Sequence, residues 1–276
     1  MTEHAPARTV TETGTALLDA VEAHLLRFTA FPDEAAAVAV ALWVAHTHLL
    51  DCFESTPRLA FLSLEPGSGK TRALTSIGSL VPQARSVSGT NTAALIRAIS
   101  GPGDRPTVLL DDVDNLARSK STASEELRGL INAGHRRTGH VLRCVGVGRD
   151  RSVQTIPVYF ALAIAGTSDL PDPIMSRSIV VRMRRANTPA FESRHPEADG
   201  HALRKRLATW ADTVRDKLND TWPELPDGIN DRQADVWEPL LAVADAAGGH
   251  WPARARAACV QLVNAAAANS PTCQAR

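Results

Sequence analysis

The six residues Pro66-Gly67-Ser68-Gly69-Lys70-Thr71 lie between a short apolar run and a helical pattern, and they constrain this chain more than any other feature. Glycines at 67 and 69 let successive backbone N–H groups turn towards one point, forming an anion nest where a helix begins. From there Lys70 reaches the β- and γ-phosphates of a nucleoside triphosphate, and the Thr71 hydroxyl is placed to ligate Mg²⁺. The expectation is a P-loop in which Pro66, Gly67, Ser68, Gly69, Lys70 and Thr71 bind ATP with Mg²⁺. One position departs from the full pattern, which asks for a further glycine where this chain has Leu64.

The segments around the motif alternate strongly in kind. Apolar strands are predicted at Arg58–Leu64, Arg85–Ser88, Thr107–Asp111, Tyr159–Ala165 and Ser178–Met183, with helices at Thr71–Leu80, Thr92–Ser100 and Ser124–His135 between them. This order predicts an α/β fold, a three-layer P-loop NTPase core on a parallel five-stranded sheet. Upstream, Leu17, Leu18, Val21, Leu25 and Leu26 recur at helical spacing. Ala35–Leu50 is apolar nearly all round, predicting a buried helix with Pro32 in its first turn. His46 and His48, two residues apart, fall on different faces of that helix and read as packing rather than a metal pair. Downstream, helices are predicted at Gly200–Leu218, Asp231–Ala247 and Pro252–Ala268. The expected organisation is a loose tail over 1–14, N-terminal helices over 15–52, the P-loop core over 53–190 with a hairpin insertion at 141–158, and a C-terminal helical lid over 191–276.

The strand Thr107–Asp111 ends in two carboxylates. Asp111 is expected to hold the metal shell and Asp112 to polarise an attacking water; the simpler reading is a strand end capped by carboxylates. An intervening strand and helix over 85–100 separate the two motifs, a topology of helicase-like and AAA-type ATPases and not of P-loop small-molecule kinases. Most of those ATPases use glutamate second, and Asp112 is one methylene shorter, although AAA-class replication initiators carry a similar Asp-Asp pair. After the next strand, Thr167, ahead of Ser168, is the candidate γ-phosphate sensor. Pro173-Ile174-Met175-Ser176-Arg177-Ser178 resembles the arginine-finger segment of ring helicases of the minichromosome-maintenance type. That resemblance makes Arg177 a catalytic group projecting into a neighbouring subunit's site; the alternative is an ordinary surface or salt-bridging arginine.

Three further segments carry a wider resemblance: Pro57-Arg58-Leu59-Ala60 leading into the P-loop, Glu126-Leu127-Arg128-Gly129-Leu130-Ile131-Asn132-Ala133-Gly134-His135-Arg136-Arg137, and Asp231-Arg232-Gln233-Ala234-Asp235-Val236-Trp237-Glu238-Pro239-Leu240-Leu241-Ala242. Together they look like an uncharacterised P-loop ATPase family of actinobacterial phages, prophages and staphylococcal-type mobile cassettes, whose members often form the C-terminal part of primase or helicase proteins. The resemblance spans roughly residues 30 to 265 and implies an AAA-type core with a C-terminal helical lid. It also implies that Arg232, at the start of a lid helix, acts as a second sensor arginine on the nucleotide. The alternative for Arg232 is a salt bridge to Asp235.

Thirty Lys and Arg residues balance thirty Asp and Glu, so no global field draws this chain to nucleic acid and any such contact needs a local cluster. One is present. Val141–Val147 and Ser152–Val158 read as strands of a hairpin joined by Gly148-Arg149-Asp150-Arg151, and arginines 136, 137, 143, 149 and 151 face only Asp150 in this stretch. In ring helicases a hairpin before the sensor strand contacts the nucleic-acid backbone, which makes Arg143, Arg149 and Arg151 candidates for DNA phosphates; a solvated turn is the alternative. Cys52, Cys144, Cys259 and Cys273 show no CxxC spacing, and the longest apolar run, Ala35–Ala45, is 11 residues. A cytoplasmic protein with no membrane partner is expected. The leading expectation is therefore an ATPase, a helicase-like DNA motor or loader in phage or mobile-element replication. It would work as a homo-oligomer, with a hexamer among the ring sizes the resemblance allows, alongside replication proteins. The alternative is a nucleotide-binding adaptor that hydrolyses poorly and acts through protein contacts.

Overall fold

A computed structural model describes residues 13–88, 92–101, 105–113, 116, 119–145, 151–185, 197–219 and 221–268. Nearly all of the expected tail, Arg149 in the hairpin turn and the expected boundary near 190 lie outside these residues. Two helices open the described chain: α1 (Gly14–Phe28), with the Thr13 side chain accepting from the Ala16 N–H, and α2 (Glu34–Thr47). Asp33 is the N-cap of α2, its carboxylate accepting from the Ala36 N–H at 2.8 Å, so Pro32 stands outside the helix rather than in its first turn.

The alternating pattern then builds β1 (Arg58–Leu62), α3 (Lys70–Gly78), β2 (Arg85–Ser88), α4 (Thr92–Ile99), β3 (Thr107–Asp111) and α5 (Thr122–Ala133). A hairpin follows, β4 (His140–Val145) and β5 (Ser152–Pro157), and then β6 (Ala161–Gly166), the short α6 (Asp172–Met175) and β7 (Ser178–Arg182). The last three helices are α7 (Glu197–Leu218), α8 (Asp231–Ala247) and α9 (Trp251–Ala268). Five strands form one sheet in the order β2-β3-β6-β1-β7, every pair parallel, so the expected α/β fold with a five-stranded parallel sheet is present.

Strand periodicity divides the core into two layers. Leu59, Phe61, Leu109, Ala161, Ala163, Ala165, Ile179 and Val181 face α1, α2, α3, α7, α8 and α9. Ala60, Leu62, Val108, Leu110, Leu162 and Ile164 face the opposite way, onto α4, α5 and α6. The N-terminal and C-terminal helices thus share one apolar cluster on one face of the sheet. In α2 every residue from Ala35 to Thr47 is buried, between α1 on one flank and α8 and α9 on the other. Arg254 of α9 fastens this layer, donating to both oxygens of Glu22 at 2.7 Å and to Glu34 at 2.8 Å. No helix among the described residues is long and apolar enough to cross a membrane.

Two histidines of this layer are kept neutral. Neither ring nitrogen of His46 has a hydrogen-bond partner among the described residues, whereas His48 Nε2 donates to the Leu80 carbonyl at 2.9 Å. Desolvation lowers their pKa values, to about 3 for His46 and about 4 for His48. In the unfolded chain both titrate near pH 6.5, so below that pH the unfolded state binds protons that the folded state refuses. This stabilisation is complete above the unfolded pKa and is lost as the pH falls towards the folded values. The expected slope is about 1.4 kcal/mol per pH unit per histidine. His46→Leu should flatten the pH dependence of the urea midpoint between pH 6.5 and 5, where few carboxylates titrate; an unchanged slope would clear His46 of the effect.

Candidate functional site

The predicted residues gather at two opposite edges of the sheet. At the edge where the strands end, β1 runs into the loop 63–69 and α3 starts at Lys70. Gly67 has φ +72° and Gly69, the N-cap of α3, φ +89°, both in the left-handed region that side chains rarely adopt. A Cβ would meet no steric block at Gly67 and only an ordinary contact at Gly69, so these positions need glycine for backbone conformation, as an anion nest requires. Leu64 is 83% exposed, which explains why the loop closes without the glycine expected there: the side chain points away from it.

Lys70 lies folded over this loop. Its ammonium donates to Ser63 O at 3.1 Å, Glu65 O at 3.3 Å and Ser68 Oγ at 3.2 Å, and no carboxylate among the described residues pairs with it. All three acceptors are neutral, so an incoming phosphate oxygen would displace them with a net gain in charge pairing. Ser68 is buried and Thr71, in the first turn of α3, is exposed.

Asp111 and Asp112 lie at the same edge. Leu62 of β1 is level with Gly166 of β6, and Leu110 of β3 with Ile164, so the end of β3 stands two strands from the 63–69 loop, about 10 Å across the sheet. β6 fills the space between, and Thr167 follows directly from its end. Asp112 adopts φ +57°, with its N–H bonded to Asp111 Oδ1 at 3.0 Å. Aspartate tolerates the left-handed region better than most side chains. Across the loop, the Glu65 carboxylate accepts from the Arg185 N–H at 3.2 Å, tying the glycine-rich loop to the chain leaving β7. Among the described residues no group of three or more His, Cys, Asp or Glu is arranged to hold a metal ion; Thr71 and Asp111 offer two protein ligands, and Mg²⁺ commonly takes its others from phosphates and water.

Arg177 and Arg232 are not brought to this edge. Arg177 directly precedes β7, level with the start of β1, where Arg58 N donates to Arg177 O at 2.9 Å. Arg232, in the first turn of α8, donates to Ser176 Oγ at 3.4 Å. Both line a cleft with Ser55, Thr56, His135, Arg136 and Asp235. Here Arg136 pairs with Asp235 at 2.5 Å, so the Arg232–Asp235 salt bridge considered from sequence is not the one formed. Arg232, the residue expected as a second sensor, is thus at the opposite edge of the sheet from Lys70 of the same chain, and the two are not brought together. A proline explains how α8 is held here: Pro239 has no N–H for the Asp235 carbonyl, and the Ser55 hydroxyl donates to it instead at 2.8 Å.

Below the cleft Arg58 is buried, 1% exposed, over the Phe160 ring, donating to the carbonyls of Phe160 and Ile131. Desolvation lowers its pKa to about 9, leaving it charged at neutral pH. Sequence reasoning gave this arginine no role beyond a strand position, and an apolar strand with one basic end offers no signal of it.

The hairpin folds back along α5, with Arg143 3.8 Å from Glu126. Val141 and Ile156 pack inward on the second core layer, whereas Leu142 and Val153 are each 66% exposed. Arg151 is exposed. Arg136 and Arg137 leave the hairpin cluster: the first pairs with Asp235, and the second reaches Glu54 and the carbonyls of Asp51 and Phe53. The charge available at the described hairpin is therefore smaller than the run of arginines suggests.

A family model described as a protein of unknown function, DUF3631, matches residues 180–276, which take in the end of β7, Arg232 and the last three helices but neither the glycine-rich loop nor the two aspartates. An uncharacterized 28.9 kDa protein in the xis 5′ region of Saccharopolyspora erythraea is 52% identical over 68 residues. Those residues make up 25% of this chain and 25% of that protein, so the match spans a quarter of the curated relative's length.

Proposed function

We propose that this chain is a Mg²⁺-dependent ATPase that works as an oligomer on DNA, as a motor or loader in the replication of a phage or mobile element. The observation that carries the reading is the strand-end edge, where a lysine held only by neutral acceptors lies two strands from a pair of carboxylates. Parallel α/β sheets bind ligands in this crevice, where neighbouring connections leave in opposite directions, as they do from β1. The insertion of β6 between β1 and β3 supports the AAA-type reading made from sequence. The relative's xis 5′ setting supports the mobile-element context.

In this reading Lys70 and the loop N–H groups bind the phosphates, and Thr71 and Asp111 would hold Mg²⁺, which neutralises phosphate charge when bound. Asp112 orients the attacking water and accepts its proton, and Thr167 contacts the γ-phosphate. Asp112→Asn is expected to bind ATP normally and turn over about 10²- to 10⁴-fold more slowly, because an amide does not accept the proton. Equal rates in single-turnover assays would move the base elsewhere, with Asp114, outside the described residues, the next candidate. The adaptor reading draws on Asp112 as well, because its side chain is a methylene shorter than the usual glutamate. ATP turnover with and without single- and double-stranded DNA, run beside light scattering, tests the proposal. DNA-stimulated hydrolysis by an oligomer supports the motor; ATP binding by a monomer without turnover supports the adaptor.

A further inference from the structure

The cleft at the strand-start edge holds more positive charge than its carboxylates balance. Arg136 takes Asp235, and among the described residues neither Arg177 nor Arg232 has a carboxylate within 4.0 Å. Arg58 adds a buried charge below from β1, and the half-buried Glu238 of α8 lies in the field of Asp235 and Arg136 and forms no ion pair with Arg177. Desolvation, followed by repulsion from Arg232 and Arg136, lowers the pKa of Arg177. An arginine in such surroundings keeps one orientation only if neutral acceptors hold it.

Two do. Arg177 Nη1 donates to the Pro173 carbonyl, and Arg177 Nε donates to His135 Nε2 at 3.2 Å. A guanidinium N–H only donates, so His135 Nε2 must present its lone pair and the ring proton must sit on Nδ1. Nδ1 faces the Asn132 carbonyl, which takes that proton, so the two contacts specify the same tautomer. The ring stands on a fixed mount: the His135 carbonyl accepts from the Thr56 N–H at 2.8 Å, and a Cβ on the preceding Gly134 would come within 2.3 Å of the Phe160 ring. The imidazole pKa is lowered to about 4, by desolvation first and then by Arg58, Arg177 and Arg136, against the opposing hydrogen bond to Asn132.

We propose that His135 is a positioning residue for Arg177, a neutral imidazole protonated at Nδ1 that fixes the plane of the guanidinium. With Nε and Nη1 engaged, Nη2 has no partner among the described residues and remains for an oxyanion brought by a second copy of the chain. The inference rests on the reading of Arg177 as a group acting on a neighbour. Sequence reasoning missed His135 because its partner is 42 residues away.

Nitrogen-15 NMR of histidine-labelled protein at pH 7 reads the tautomer directly and independently of activity. A ring protonated at Nδ1, with an Nε2 resonance that moves in Arg177→Ala, is expected. A ring protonated at Nε2, or a charged ring, would overturn the proposal. In turnover assays His135→Leu should lose about 10- to 100-fold in kcat with its KM for ATP unchanged, since misaiming a group costs rate and the P-loop lies at the other edge. His135→Gln, whose amide oxygen accepts the Arg177 Nε–H, should recover most of that loss. If His135→Leu turns over like wild type while Arg177→Ala is impaired, the positioning role falls. If Arg177→Ala is itself fully active, the reading of Arg177 falls instead, and the NMR result alone upholds or overturns the contact. Should His135→Leu fail to fold, the Gln variant and the NMR measurement carry the test.

Discussion

Lys70→Ala should weaken ATP binding by about 10²- to 10³-fold, the loss expected when the cation of a hydrogen-bonded phosphate contact is removed. The folded protein should barely notice. Lys70 donates to two backbone carbonyls and a serine hydroxyl on a surface loop and makes no ion pair among the described residues, so its removal leaves no charge buried. A thermal melt close to wild type together with loss of binding in calorimetric titration is the expected combination. Lys70→Arg should fail nearly as badly, because a planar fork does not sit among three acceptors spaced for an ammonium. Unchanged affinity in the alanine variant would remove the P-loop assignment and the proposed function with it.

Arg177→Ala should leave ATP binding intact and lower hydrolysis by about 10³-fold or more, the range for loss of an arginine that stabilises transition-state charge. In the proposed reading it acts between chains. Arg177 precedes β7 at the strand-start edge and the glycine-rich loop leaves β1 at the other, about 13 Å away along the strands, so the arginine does not stand beside its own Lys70. Mixing Arg177→Ala with excess Asp112→Asn should restore part of the activity, since an intact arginine from one copy then serves an intact site in another. Mixed variants without recovery, or wild-type protein that stays monomeric with ATP and DNA, would favour the adaptor.

The strands were legible in the sequence because a parallel sheet buried on both faces requires unbroken apolar runs, and Leu59-Ala60-Phe61-Leu62 and Ala161-Leu162-Ala163-Ile164 are such runs. The all-apolar α2 was legible for the same reason, and the left-handed glycine loop before α3 because its glycines and lysine are contiguous. What the sequence does not carry is which edge of the sheet a distant helix start will reach. Arg232 is separated from β7 by a long helix and a turn, and nothing local records that Pro239 frees a carbonyl for Ser55 and draws α8 towards the strand starts. The five arginines near the hairpin read as one patch by proximity in the chain, yet Arg136 and Arg137 turn away from it to pair with Asp235, Glu54 and the carbonyls around residue 53.

The burial of α2 also sets a schedule for synthesis. Its apolar surface leaves the ribosome some 200 residues before α8 and α9, the two helices that complete its cover. At ordinary elongation rates of about 5 to 20 residues per second, α2 waits roughly 10 to 40 s for those two helices. Contacts so far apart in the chain form slowly, and an uncovered helix of this composition attracts other nascent chains in the meantime. The yield of this protein in a cell should therefore depend on holding chaperones more steeply than its final stability suggests, with α2 as the segment they grip.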